Sequence, residues 1–164
     1  MHKTTSRAWL AQQCAKATTF AELAEVAKVE LDKFDGHAEI VCGPITTGGL
    51  GTPEANLRIF GKVIELLAAG GAPIFNQAPY EDKIFELRNK WRAEDPAREN
   101  QYYLPILFEF YAPLFATCAF KKGHFIPGWR SSKDVSWEHD ELKRLGAEIK
   151  YLPQGFIENA KGLL

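Results

Sequence analysis

Short apolar runs recur along this chain with helical stretches between them, and that alternation restricts the fold more than any other feature of the sequence. AEIVCG (38–43), APIFNQ (72–77), GHFIPGW (123–129) and AEIKYLP (147–153) each read as a short strand. Between the first two lies a helical pattern over 53–69, with Thr52 as its expected N-cap, Pro53 in its first turn and Gly70-Gly71 at its close. A charged helical segment begins at Tyr80, and SSKDVSWEHDELKRLG (131–146) supplies an amphipathic helix before the last strand. A short helix from about Gln154 ends the chain. Strands separated by helices imply βαβ units and a parallel sheet. The expectation is a doubly wound α/β domain, flavodoxin-like or Rossmann-like, with a mostly parallel sheet of four to five strands. Residues 5–34 carry two further helical patterns, divided at ATTF where Thr18 or Thr19 can cap the second. Because they precede every strand, residues 1–35 are read as an N-terminal helical extension, either packed on the domain or serving as an oligomer contact, and 36–164 as the α/β domain.

Composition narrows the function classes. With 164 residues, 46% hydrophobic and 25% charged, the chain fits one ordinary globular domain, and a net charge of -1 provides no field for a polyanion. Nucleic acid is therefore disfavoured as a partner. Cys14, Cys42 and Cys118 are odd in number and show no CxxC spacing, which suggests neither a disulfide framework nor a zinc site and fits a reducing, cytoplasmic compartment. The N-terminal residues lack the apolar run of a secretory signal. Only 102–120 approaches a membrane segment, and Glu109 with two prolines makes a buried helix or pair of helical pieces the better reading. His124 and His139 have no metal-ligand spacing, so no metal and no cofactor are expected. Tyr80, Phe85, Trp91, Tyr102 and Tyr103 read as core aromatics.

In an open parallel sheet, ligands bind beyond the carboxyl ends of the strands, so the loops there carry the chemistry. GPITTGGLG (43–51) offers backbone amides with the Thr46 and Thr47 hydroxyls just before a helix, either to hold an anion or to make a tight turn. Asn76 and Gln77 follow the second run, and their amides can read a polar ligand or satisfy turn backbone. After the third run, Arg130, Ser131, Ser132 and Lys133 bring charge and hydroxyls to a helix start. Simple capping by Ser132 or Asp134 is the competing reading.

Glu138 is the residue out of place. At roughly 100° per residue, Val135, Leu142 and Leu145 share one stripe, and Glu138 lies within it rather than beside Asp140, Lys143 and Arg144. A carboxylate turned inward is paired, neutralised or used, because burying it bare is expensive. The alternatives are a salt bridge, for instance to Arg130, and a carboxylate nucleophile for a glycosidase-like displacement at an anomeric carbon.

GPITTGG after the first strand, FNQ after the second, and PGWRSSKDVSWEHDELKRLG together resemble the nucleoside 2-deoxyribosyltransferase-like superfamily, including its nucleotide N-glycosidase branch. The resemblance spans roughly 38–153 and is most specific over 127–146. It implies that Glu138 is a nucleophile attacking C1′ of a nucleoside or nucleotide. It also implies that Ser132 and the loop residues Gly43, Thr46, Thr47, Gly48 and Gly49 hold the 5′ end of the sugar, with Asn76 near the sugar or base. Arg130 and Asp134 belong to the same expected substrate-binding set. A serine at 132 is similar to the phosphate-accepting branch, which points to a nucleoside 5′-monophosphate, and members of the group often build the site between subunits, which implies a homo-oligomer. Two departures stand out. Asp134 replaces the family's glycine, and CAFKKGHFIPG lacks the acid that usually precedes the third strand. These departures keep open a second expectation, a nucleotide- or nucleotide-sugar-binding module without catalysis.

Overall fold

A computed structural model describes residues 6–45, 51–99, 101 and 104–164. The chain separates into two compact units, one of residues 1–33 with 77–117 and one of residues 34–76 with 118–164. Residues 77–117 thus group with the N-terminal helices and not with the sheet.

In the first unit, α1 (Arg7–Lys16) starts at Ser6, whose hydroxyl accepts from the Trp9 amide. Helix α2 (Phe20–Leu31) starts at Thr19, which accepts from the Glu22 amide, while the Glu22 carboxylate reaches back to Thr18. Phe20, Leu23, Ala24, Ala27 and Leu31 follow the helical period and are buried. Helix α4 is Glu81–Ala93, with α3 (Pro53–Ala69) lying in the other unit. The apolar 102–120 region becomes a π-helical stretch, Ile106–Tyr111, that runs directly into α5 (Ala112–Ala116). Pro105 and Pro113 flank that stretch, and each lacks the amide that would continue a regular ladder. Leu107, Phe110, Tyr111, Leu114 and Phe115 are buried, and the Tyr111 hydroxyl donates to Gln77 Oε1 at 3.0 Å. No helix among the described residues is long and apolar enough to cross a membrane.

The second unit carries the sheet. Three parallel strands, β1 (Ala38–Cys42), β2 (Phe120–Phe125) and β3 (Glu148–Tyr151), lie in the order β1-β2-β3. The mixed α/β class holds, but the sheet has three strands and not the four to five expected. Residues 72–77 form only a single parallel bridge, Ile74 to Glu39. Pro73 has no N–H to offer, so the segment is limited to Glu39 N–H donating to the Pro73 carbonyl and Phe75 N–H donating to the Glu39 carbonyl. A helical turn, Ala78–Tyr80, then ends it. The third expected strand is also displaced, running over Phe120–Phe125 and ending before Pro127.

The bridge still fixes the topology. Ala38 N–H and the Cys42 carbonyl bond toward β2 and the residues flanking it, whereas Glu39 bonds toward Ile74, so the bridge lies on the opposite edge of β1. In chain order the pairing reads second, first, third, fourth, and the direction of winding reverses between β1 and β2. Helix α3 (Pro53–Ala69) is capped by the Thr52 hydroxyl, which accepts from the Ala55 amide. With α7 (Gln154–Gly162), it covers one sheet face through Ile59, Phe60, Val63, Ile64, Ile157 and Ala160 packed on Val41, Ile74 and Ile126. Helix α6 (Lys133–Arg144) covers the other face, where Leu142 lies against Gly123 and His139 against Phe125.

Candidate functional site

The reversal between β1 and β2 is where such a sheet opens a crevice at its carboxyl end. Its walls come very close at one point. A Cβ on Gly43 would stand 2.6 Å from Ile126 Cδ1 and 3.1 Å from its Cβ, so any larger residue would force Ile126 to shift where the loop after β1 lies against the loop after β2. Beside this contact is a cavity of about 460 Å³, lined by Pro44, Asn56, Ile126, Gly128, Ser131 and Lys161 among others. That volume falls in the range of small-molecule sites. None of the expected site residues that the structure describes lines this cavity; Gly43 and Ser132 are chain neighbours of residues that do.

Glu138 is 5% exposed and belongs to the buried stripe Val135, Glu138, His139, Leu142 that α6 lays on the sheet. Its surroundings are polar. The side chain of Cys42, the last residue of β1, hydrogen-bonds the Glu138 carboxylate. Cys42 is 1% exposed, and its thiol is pushed well above the ordinary range, first by burial, then by the charge and hydrogen bond of Glu138, then by the charge of Asp134. Two carboxylates one helical turn apart therefore both act on the end of β1.

Asp134 is half-buried in the first turn of α6, where a negative charge complements the helix dipole. The N-cap, Ser132, is 1% exposed with extended backbone, and its hydroxyl donates to Asp134 Oδ1 and accepts from no helix amide. Its carbonyl accepts from both the Ser136 amide, at 3.1 Å, and the Ser136 hydroxyl, at 3.0 Å.

The remaining expected residues lie elsewhere. Arg130 is exposed, with its guanidinium 5.1 Å from the Trp129 ring centroid. Trp129 stacks at 4.2 Å on His139, whose Nε2 lies 2.7 Å from the Tyr151 hydroxyl, so His139 is held within an aromatic cluster. Asn76 is exposed just beyond the Ile74 bridge. Thr46, Thr47, Gly48 and Gly49 lie outside the described residues. Glu138, Asp134, Ser132 and Gly43 are thus brought to the carboxyl end of β1 and the start of α6, whereas Arg130 and Asn76 are exposed. Among the described residues no group of three or more His, Cys, Asp or Glu side chains is arranged to hold a metal ion.

Sequence reasoning missed Cys42, because its contact with Glu138 depends on how α6 lies over β1, which no local pattern carries. It also missed Asn56. This side chain is 5% exposed in the stripe Asn56, Ile59, Phe60, Val63, Ile64 and donates from Nδ2 to the Ile45 carbonyl at 2.9 Å, tying α3 to the loop after β1. A polar residue inside an apolar stripe is the same signal that singles out Glu138 and would have found it. A third buried polar pair, His124 Nε2 and Glu39 Oε1 at 2.8 Å, joins neighbouring strands on the face opposite α6.

Neither the sequence nor the fold has a match among protein-family models, curated proteins or solved structures.

Proposed function

We propose that this chain cleaves or transfers the N-glycosidic bond of a nucleoside or nucleoside 5′-monophosphate, with Glu138 as the nucleophile. One observation carries the reading: a buried carboxylate, hydrogen-bonded by the last side chain of β1, stands at the carboxyl end of the strands where the winding of the sheet reverses. In the first step a Glu138 oxygen attacks C1′, the C1′–N bond breaks, and its electron pair leaves with the base, which takes a proton from solvent. The product is a glycosyl ester on Glu138. In the second step water or another base attacks C1′ and the carboxylate departs. The Cys42 thiol, a weak donor, holds the carboxylate without quenching it as a nucleophile. The close approach at Gly43 keeps the loops after β1 and β2 together at the rim.

Glu138→Gln is nearly isosteric and tests the step directly. The expected result is loss of base release by a factor of about 10³ or more, with ligand-induced thermal stabilisation retained. Full turnover by the variant would overturn the proposal. A second reading, a nucleoside- or nucleotide-binding module without catalysis, is favoured by one observation: Glu138 does not line the cavity at the rim. Thermal-shift screening of nucleosides and nucleotides, followed by chromatography of each binder for free base, separates the two. Binding without base release selects the module.

A further inference from the structure

A cation withdrawn from water needs a countercharge, and a buried donor needs an acceptor. Among the described residues, Arg88 and Arg92 of α4 have no ion-pair partner, and the Nε of each is buried without an acceptor. The two stand one turn apart on the helix, so their side chains are neighbours, and both are partly buried. The Arg88 guanidinium lies 4.6 Å over the Phe85 ring centroid and makes no hydrogen bond to any described residue. Arg92 donates once, from Nη2 to the Gln101 carbonyl, at a long 3.4 Å. Burial pulls the Arg88 guanidinium below the usual arginine range, the Arg92 charge pulls it further, and Glu81 opposes both without forming an ion pair with it.

Arg98, just after the helix, shows a satisfied guanidinium by contrast. Its Nη1 donates to the Trp91 carbonyl at 3.1 Å and to Glu94 at 3.4 Å, and its Nε faces Asp95 at 3.8 Å. Nothing of the kind offsets the repulsion between Arg88 and Arg92, or the desolvation each bears. Helix propensity does not call for them either, since glutamine serves a helix interior about as well. The Phe85 ring and the burial of Nε fix the plane of the Arg88 guanidinium, which leaves its terminal nitrogens held in place as donors. Guanidinium charge is delocalised, so an anion at the outer edge also compensates the buried Nε. A carboxylate would set one negative charge against two positive ones. A phosphate dianion sets two, on oxygens that can accept from both forks at once.

We propose that Arg88 and Arg92 form a phosphate-binding site in the first unit, for a small molecule that carries a phosphate dianion. This site is independent of the N-glycosidic reading of Glu138. The test titrates the full chain, in phosphate-free buffer, with inorganic phosphate, glycerol 3-phosphate and glucose 6-phosphate, and with sodium chloride at matched ionic strength. Thermal unfolding reads stabilisation, and isothermal titration calorimetry reads affinity. At saturation a phosphate probe should raise the wild-type Tm by about 2 °C or more, with no saturable shift from chloride. Arg88→Gln and Arg92→Gln should each weaken binding by about tenfold or more, because each removes charge-assisted bonds. Without phosphate both variants should be at least as stable as the wild type, because each relieves the repulsion within the pair. Tightest binding by inorganic phosphate assigns the free ion as ligand, and tighter binding by either ester assigns a phosphate monoester. A shift that chloride reproduces, or an affinity unchanged in both variants, would overturn the site. Variants less stable than the wild type without phosphate would overturn it too, by showing that the pair is held by interactions within the fold.

Discussion

Placing one methyl group on β2 tests how α6, and with it Glu138, is held against the sheet. Gly123 lies on the central strand, and a Cβ there would stand 2.7 Å from Leu142 Cδ1 and 2.9 Å from Phe125 Cε2. Carbon atoms in contact prefer about 3.5–4.0 Å, so each overlap approaches an ångström. Leu142 and Phe125 are both fully buried, and β2 is flanked by strands on both sides, so relief requires α6 to move outward or both side chains to leave their rotamers. Overpacking of this kind costs about 1–3 kcal/mol, and replacing glycine within a strand returns about 0.5–1 kcal/mol. The net loss for Gly123→Ala is then about 1–2 kcal/mol, or a Tm lowered by roughly 2–8 °C for a chain of this size. Leu142→Ala alone should cost about 2–5 kcal/mol as a cavity. In the double variant the new methyl occupies part of that cavity while the Phe125 overlap persists, so the two changes should couple by about 1 kcal/mol, above the usual additivity error of about 0.3–0.5 kcal/mol. Urea denaturation of all four proteins, with a common m-value, measures the coupling. Leu142 is one turn beyond Glu138 on the same stripe, so outward movement of α6 should also reduce base release in Gly123→Ala. Strict additivity, or a Gly123→Ala protein as stable as wild type, would refute this account of how the helix is seated.

Two further outcomes follow from the buried titratable groups. Burial holds His124 below the ordinary histidine value, opposed by its bond to Glu39 and reinforced by Lys122 and Lys150, so the unfolded chain binds the proton more readily. The His124 contribution to stability is therefore complete above a pH of about 6.5 and is lost as pH falls through the depressed folded value. The wild-type minus His124→Gln stability difference, measured by urea denaturation between about pH 5 and 8, should shrink on acidification; a flat difference would contradict the assignment. Of the three cysteines only Cys118 is exposed, while Cys14 and Cys42 are buried with thiols raised by that burial. Iodoacetamide on the native protein, read by mass spectrometry of peptides, should label Cys118 first by a wide margin, and equally rapid labelling of Cys42 would show that the end of β1 is open.

How much of this was legible beforehand depends on whether a feature is local. Helix α3 could be drawn from Thr52, Pro53 and Gly70-Gly71, because caps and breakers act within a turn of themselves. The inward turn of Glu138 follows from helical periodicity alone. APIFNQ could not be resolved in the same way, since a six-residue apolar run reads alike whether it pairs along its length or touches β1 only at Ile74, and Pro73 decides the matter only once its neighbour is known. The grouping of 77–117 with the N-terminal helices was equally hidden, because it rests on contacts such as Lys83 Nζ donating to the Ala15 carbonyl, far apart in sequence. At the site, sequence identified the residue types but not their partners. Ser132 reads as a free hydroxyl awaiting a phosphate, and the structure gives its hydrogen to Asp134. Arg130 reads as a cation at the helix start, and its contact with the Trp129 ring is visible only in the structure.

The second unit buries polar groups in several places, and two of them, His124 with Glu39 and Glu138 with Cys42, differ in kind. His124 and Glu39 pair across adjacent strands through one bond, Nε2 to Oε1 at 2.8 Å, while His124 Nδ1 is buried with no hydrogen-bond partner among the described residues. At the carboxyl end of β1 the buried group is a carboxylate on the very stripe that seats the helix. Val135, His139 and Leu142 already seat α6, and an apolar residue at 138 would spare the chain the desolvation of a carboxylate, which costs several kcal/mol before any pairing is counted. A second acid follows at Asp134, a thiol rather than a methyl faces Glu138, and Gly43 gives up its side chain so that the loops can meet. Natural chains accept such local inconsistencies mainly where a site requires them. Their convergence on the edge where the winding of the sheet reverses is what supports the proposed role of Glu138.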